Sequence, residues 1–290
     1  MDRRRSSFDQ SQSRQGRSES RDLTRFLRPE RGRSASPKLE RTLEERLQGL
    51  PRDIQKKILS ETLVKMLPNE QIDKDERCQM AQAIAKLGDK AVVPALVNML
   101  PNEQIDKDAR CQVAQAIAKL GDKAVVPALV NMLPNKQISY EVRRDITDSI
   151  AKLGDKTIVP TLVQLLRNEL VGPIVGKEIV GSIGELGDKN DIPHLAQLLT
   201  DDRVSLHAQI AIPETIVELG GRATIPDLVQ MLPNTQIDWV VRYRMAKVIG
   251  NLGDRTNIQH LEQIRSNGQI EKRVRARIDH AIAKLSSLEE

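Results

Sequence analysis

The sequence predicts an all-α fold, an α-solenoid (superhelix) of about seven stacked helix pairs preceded by a disordered basic N-terminal tail. Three observations lead there. Residues 67–99, LPNEQIDKDERCQMAQAIAKLGDKAVVPALVNM, recur at 100–132 with two changes, Ala109 standing where Glu76 stood and Val113 where Met80 stood. A leucine marks the same 33-residue step at Leu87, Leu120, Leu153, Leu186, Leu219, Leu252 and Leu285, and a period of about 20–50 residues held so strictly signals a solenoid. Both phenylalanines, Phe8 and Phe26, precede residue 39. The core beyond them is therefore aliphatic, which suits many small helix–helix contacts better than a sheet.

Each repeat holds two helices. The first, VVPALVNML, opens on a proline, which a helix tolerates in its first turn because that N–H has no partner there. It stops before Pro68, Pro101, Pro134 or Pro233, since proline cannot continue the helix. The second is expected from about Asp108 to Lys119. Its apolar positions Val113, Ala114, Ile117 and Leu120 follow one face of a 3.6-residue period. Gly121 then stands where a left-handed helix cap is expected. Neither helix can bury its stripe alone, so stacking supplies the core.

The layout is a tail over 1–38, a capping helix over 39–53 and a solenoid over 54–290. Leu39, Leu43, Leu47 and Leu50 share one face of the capping helix and are expected to lie over the open end of the first repeat. Residues 1–38 hold ten arginines and Lys38 against Asp2, Asp9, Glu19, Asp22 and Glu30, an excess of six positive charges, while the remainder holds 34 basic and 35 acidic residues. The whole net charge of +5 therefore sits in the tail. No segment has the roughly 18–20 apolar residues of a membrane span. The tail lacks the apolar segment of a secretory signal, and its acids argue against a transit peptide, so a cytoplasmic location is expected. Cys78 and Cys111 repeat one position in successive units. Stacked helices lie about 8–10 Å apart, too far for a disulfide, so both are expected to be free thiols.

The unit DARCQVAQAIAKLGDKAVVPALVNML resembles a HEAT repeat, most closely the HEAT-like type of phycobilisome lyases and many cyanobacterial scaffold proteins. The matching residues are Val142–Arg143, Val241–Arg242 and Val274–Arg275 at the start of the second helix, and the Ala, Leu and Gly-Asp that close it. The resemblance implies that the second helices line a concave binding face. Three rows of positions then run down the stack. The first is Gln79, Gln112, Asp145, Glu178, Ala211, Arg244, Arg277; the second is Gln82, Gln115, Asp148, Gly181, Glu214, Lys247, His280; the third is Lys86, Lys119, Lys152, Glu185, Glu218, Asn251, Lys284. The centre, Asp145, Asp148, Glu178, Glu185, Glu214 and Glu218, is acidic and favours a basic ligand. The chain's own tail is one such ligand in cis.

Repeat six adds Trp239 and Tyr243, four apart on one helix face, with Arg242 and Arg244 beside them; Trp239, Tyr243, Arg244 and Lys247 complete the expected partner-binding set. Aromatics with arginine are the composition of a binding hot spot. Two departures fall mid-chain. Repeat four carries Gly172, Gly176, Gly181 and Gly184, which point to close packing, a hinge or a ligand near the backbone. Repeat five carries Pro213, which either kinks its helix or restarts it.

Enzyme chemistry is scarce. The histidines, His194, His207, His260 and His280, are followed by Leu or Ala; they form no metal-ligand spacing and no His-Glu pair of the HEAT-type iron hydroxylases. No phosphate loop, GxSxG or HExxH is present, and no cofactor is expected. The function expected is a non-enzymatic scaffold or adaptor that binds a protein partner through the concave face. The resemblance implies an alternative, a bilin lyase or chaperone of the phycobilisome E/F type. A third reading is nucleic-acid binding through residues 1–38, where a charge-driven arm would be salt-sensitive and sequence-blind.

Overall fold

The computed structural model describes residues 47–287. The tail 1–38 and the part of the predicted capping helix before Leu47 lie outside the described residues. The described residues are helical, with no strand among them. The chain divides into two compact units, Met1–Gly121 and Asp122–Glu290.

The first unit holds two helix pairs, α1 (Arg52–Met66) with α2 (Lys74–Leu87) and α3 (Val93–Met99) with α4 (Lys107–Leu120). The second holds five: α5 (Val126–Met132) with α6 (Tyr140–Leu153), α7 (Val159–Leu165) with α8 (Pro173–Leu186), α9 (Ile192–Leu198) with α10 (Leu206–Gly220), α11 (Ile225–Met231) with α12 (Trp239–Leu252), and α13 (Ile258–Ser266) with α14 (Lys272–Ser286). Within each unit, second helices pack on the second helices of neighbouring repeats, α2 on α4 and α6 through α14 in order. Each unit is thus a stretch of α-solenoid, and the two together account for the seven helix pairs that the 33-residue period requires.

Local chemistry sets the boundaries. Proline enters α3, α5, α7, α9 and α11 in the first turn. Before each of α3, α5, α7, α9 and α13, an aspartate accepts from the N–H two residues on and opens a short 3-10 turn: Asp89, Asp122, Asp155, Asp188 and Asp254. The asparagine of each PN turn does the same between first and second helix; Asn69, Asn102, Asn135 and Asn234 each bond the second amide on at 3.0 Å. Such Asx turns give the backbone groups between helices partners they would otherwise lack.

The apolar stripes meet as aliphatic cores. Leu96, Ile105 and Ile117 are fully buried in the first unit, and Ile146, Ile179, Ile212 and Ile249 in the second. Leu47, at the edge of the described residues, is buried against Leu59.

The glycine ending each second helix acts in two ways. Gly88 and Gly121 are left-handed, with φ of 66° and 69°. Gly154, Gly187 and Gly253 instead run extended. There a Cβ would stand 2.6–2.7 Å from the carbonyl oxygen of Ile150, Ile183 or Ile249, so glycine is required by close approach rather than by handedness.

The two mid-chain departures resolve differently. Pro213 does not restart its helix: α10 runs unbroken from Leu206 to Gly220 with Pro213 buried inside it, forgoing one backbone hydrogen bond at a cost of about 3 kcal/mol. Two of the repeat-four glycines allow close packing. A Cβ on Gly184 would meet Glu218 Oε2 at 2.9 Å, and one on Gly176 would meet Ser205 Oγ at 3.3 Å. Gly172 takes a φ of 76° at the start of α8.

Gly250 sits at a close helix crossing, since a Cβ there would lie 2.9 Å from both Cα and Cβ of Ala281. Gly250→Ala is expected to lose about 1–3 kcal/mol despite alanine's better helix propensity. Chemical denaturation of the two proteins checks this: an unchanged midpoint would mean that α12 and α14 have room to part.

Candidate functional site

All ten side chains singled out from the sequence lie in the second unit, on or beside the exposed edge of helices α6 to α12. Asp148, Glu185, Glu214, Glu218 and Tyr243 are exposed; Glu178, Trp239, Arg244 and Lys247 are half-buried. Asp145 is not on the surface. It is 5 % exposed, with Arg144 at 3.5 Å as its ion-pair partner, which corrects the reading of that position as a solvent-facing contact. The physical reason is the direction of the first row. Its side chains enter the seam between adjacent second helices, and a short carboxylate there is covered.

Two bonds define how the rows meet. In the first unit Gln82 and Gln112 bond at 3.1 Å, 30 residues apart. In the second, Arg244 pairs with Glu214 at the same separation. A second-row residue of one repeat thus faces a first-row residue of the next. By that register Asp148 corresponds with Glu178, and Lys247 with Arg277, both like-charged; Glu214–Arg244 is the complementary pair. Third-row residues meet 33 apart, as Lys284 does with Asn251 at 2.8 Å, so Glu185 corresponds with Glu218. Among the described residues none of Asp148, Glu178, Glu185 and Glu218 forms an ion pair.

The aromatic pair is engaged within the molecule. The Arg273 guanidinium lies 5.0 Å from the Trp239 ring centre, and Arg277 lies 5.7 Å from that of Tyr243, within cation–π range. Arg273 carried no signal in the sequence reading, because its role depends on α14 laying it over a ring of α12.

The recurrent arginine, by contrast, ties repeats together. Arg77 pairs with Asp106 at 3.1 Å and donates to the Gln104 carbonyl. Arg143 donates to the carbonyls of Leu133, Leu170 and Val171 at 3.0–3.2 Å. Arg242, 1 % exposed, donates to the Ile237 carbonyl and pairs with Glu271. Burial pushes the Glu271 carboxyl up, but a backbone hydrogen bond and Arg242 outweigh it and hold the group below its usual value. In repeat five Gln209 takes the arginine's place and donates to the carbonyls of Leu198 and Asp201, both at 3.0 Å.

A further ionic cluster went unread in the sequence. Asp201 stands where other repeats carry the PN asparagine, and its carboxylate is held by Arg203 and Arg167, both at 2.8 Å. The hydrogen bond from Arg203, with that from Arg167, overrides burial and keeps the carboxyl well below the usual carboxylate range. Neither Cys78 nor Cys111 is in a disulfide, and burial, with Asp106 nearby, pushes Cys78 above the ordinary thiol value. Among the described residues no group of three His, Cys, Asp or Glu side chains is placed to hold a metal ion. No helix among them is long and apolar enough to cross a membrane.

A carboxyl depressed in the fold stabilises above its unfolded value, about 4, and that contribution is lost as pH falls through the lower folded value. Asp201→Asn is therefore expected to lower Tm at neutral pH, and the gap from the parent protein should narrow below about pH 4. A gap in Tm that stays constant through that range would count against the ionic account.

A profile describing HEAT repeats matches residues 60–140 and 136–213. It describes such repeats in general and does not select the phycobilisome-lyase type. No curated protein matches the chain. Among solved structures, human deoxyhypusine hydroxylase in complex with glycerol aligns with 86 % of this chain and 97 % of that one, at 16 % identity and a TM-score of 0.37.

Proposed function

The chain belongs to the HEAT-repeat proteins, and on that footing we propose that it is a non-enzymatic scaffold holding a basic segment of a protein partner against the exposed edge of α6, α8 and α10. The observation that carries the reading is the run of Asp148, Glu178, Glu185 and Glu218, none in an ion pair among the described residues. Like charges at facing positions repel one another. A ligand supplying cations relieves that repulsion and gains charge-assisted hydrogen bonds. Next to this run, Glu214–Arg244 closes the acidic stretch with an internal pair, and the arginine-covered rings of Trp239 and Tyr243 offer broad, rigid contact area. The acidic stretch therefore ends at repeat five and a cationic, aromatic surface begins at repeat six.

Residues 1–38, with their excess of six positive charges, supply an arginine-rich probe when made as a separate peptide. Asp148→Lys with Glu178→Lys is expected to weaken binding of that labelled peptide to the 39–290 chain by about tenfold or more, since two charge reversals remove well over 1.4 kcal/mol of attraction. Fluorescence anisotropy near physiological salt reads the change. Unaltered affinity in the double variant would defeat the reading, and complete loss of binding at modest salt for both proteins would reduce it to nonspecific attraction.

A further inference from the structure

The recurrent arginine reveals a site that is built but lacks its arginine. Its guanidinium finds acceptors at fixed offsets: the carbonyl ten residues before it (Leu133 for Arg143), the carbonyl five before (Ile237 for Arg242), the carbonyls 27 and 28 after (Leu170 and Val171 for Arg143), and the side chain 29 after (Asp106 for Arg77, Glu271 for Arg242). In repeat four this position is Gly176. The corresponding positions are Leu166, Val171, Arg203, Val204 and Ser205, of which the Val171 carbonyl already accepts from Arg143 and the Ser205 hydroxyl from the Ala208 N–H. All five line one open cleft, with Gly176 itself in the wall.

The chemistry of the cleft suits a cation. Leu166 caps the C-terminal end of α7, where carbonyl dipoles present negative charge. Glu169 and Asp202 line the opening, while the guanidinium of Arg203 is drawn off to Asp201. Among the described residues no side chain donates to the carbonyls of Leu166, Arg203 or Val204. One repeat earlier the Nη1 of Arg143 lies 3.0–3.2 Å from three such carbonyls, and in repeat six Arg242 engages two nitrogens of its fork, Nε with the Ile237 carbonyl and Nη2 with Glu271.

We propose that this cleft is a guanidinium socket, which takes the side chain of an arginine carried in the chain of a protein partner. Planar, multiply donating guanidinium matches several converging carbonyls, whereas a lysine ammonium is a compact, strongly hydrated charge that does not. Glu169 and Asp202 repel the carboxylate of free arginine, so an arginine within a peptide, which has no such carboxylate, is the occupant. The socket shares no residue with the ten of the acidic and aromatic face, and it stands or falls independently of them.

The test is amide NMR of the protein titrated with N-acetyl-argininamide, N-acetyl-lysinamide and free arginine. Saturable shifts at Gly172, Gly176 and Val204 are expected with the arginine amide. The lysine amide and free arginine should bind several-fold more weakly. Gly176→Arg places the repeat's own guanidinium in the socket; it should raise Tm and abolish the shifts. Glu169→Gln with Asp202→Asn leaves the carbonyls untouched and should weaken binding about threefold or more, which keeps the proposal open to refutation if Gly176→Arg fails to fold. Equal binding of the lysine amide would overturn the guanidinium assignment. Free arginine binding as tightly as the amide would overturn the peptide source, and shifts persisting in a folded Gly176→Arg protein would place the ligand elsewhere.

Discussion

A guanidinium set among backbone carbonyls is what the stacking depends on. A HEAT pair ends its first helix with carbonyls that have no helical partner, and the turn that follows adds more of them next to the neighbouring repeat. Left dry and unpaired, each would cost about 1–3 kcal/mol. Arg143 bonds one carbonyl of its own repeat and two of the next, while Arg77 and Arg242 reach a carboxylate of the following repeat. Each arginine thus satisfies helix ends and fixes the register of two repeats with one side chain. Apolar burial supplies most of the driving force, but it is non-directional and would tolerate sliding; the arginine does not.

This division of labour frees the exposed edge of the second helices. Because the cores and the arginine sockets secure the stack, the three surface rows are under little constraint to attract one another, and in the second unit they vary from Asp148 and Glu178 to Lys247 and Arg277. Where opposite charges fall at facing positions they pair, as Glu214 does with Arg244. Where like charges fall, the surface keeps a net field, acidic over α6 and α8 and cationic toward α14. The same logic explains how repeat four can dispense with its arginine. The packing of α8 on α6 and α10 remains, and glycines at 176 and 184 bring α10 close.

Repeat identity, helix order, the proline and glycine punctuation of the helices, and the aliphatic core were all legible in the sequence. Each follows from a residue's relation to its own neighbours along a chain with a strict 33-residue period. The row-by-row reading of equivalent positions likewise picks out which repeats carry acidic residues in their second helices. The fate of individual members was not legible. Asp145 and Asp148 are three residues apart on one helix, yet one lies in a seam and the other faces solvent, a difference set by the rotation of α6 against its neighbours. Arg273 and Trp239 are 34 residues apart and meet only because α14 packs on α12.

Gly176 shows the same boundary at a single residue. By itself the sequence determined that an arginine was missing from its place in the period. Only the tertiary structure decided what the omission made, because the acceptors that would surround that arginine come from α7, its following turn and the loop before α10. They converge through packing between repeats, which no relation between neighbours along the chain reveals; with glycine at 176, the cleft they line lacks the repeat's own guanidinium.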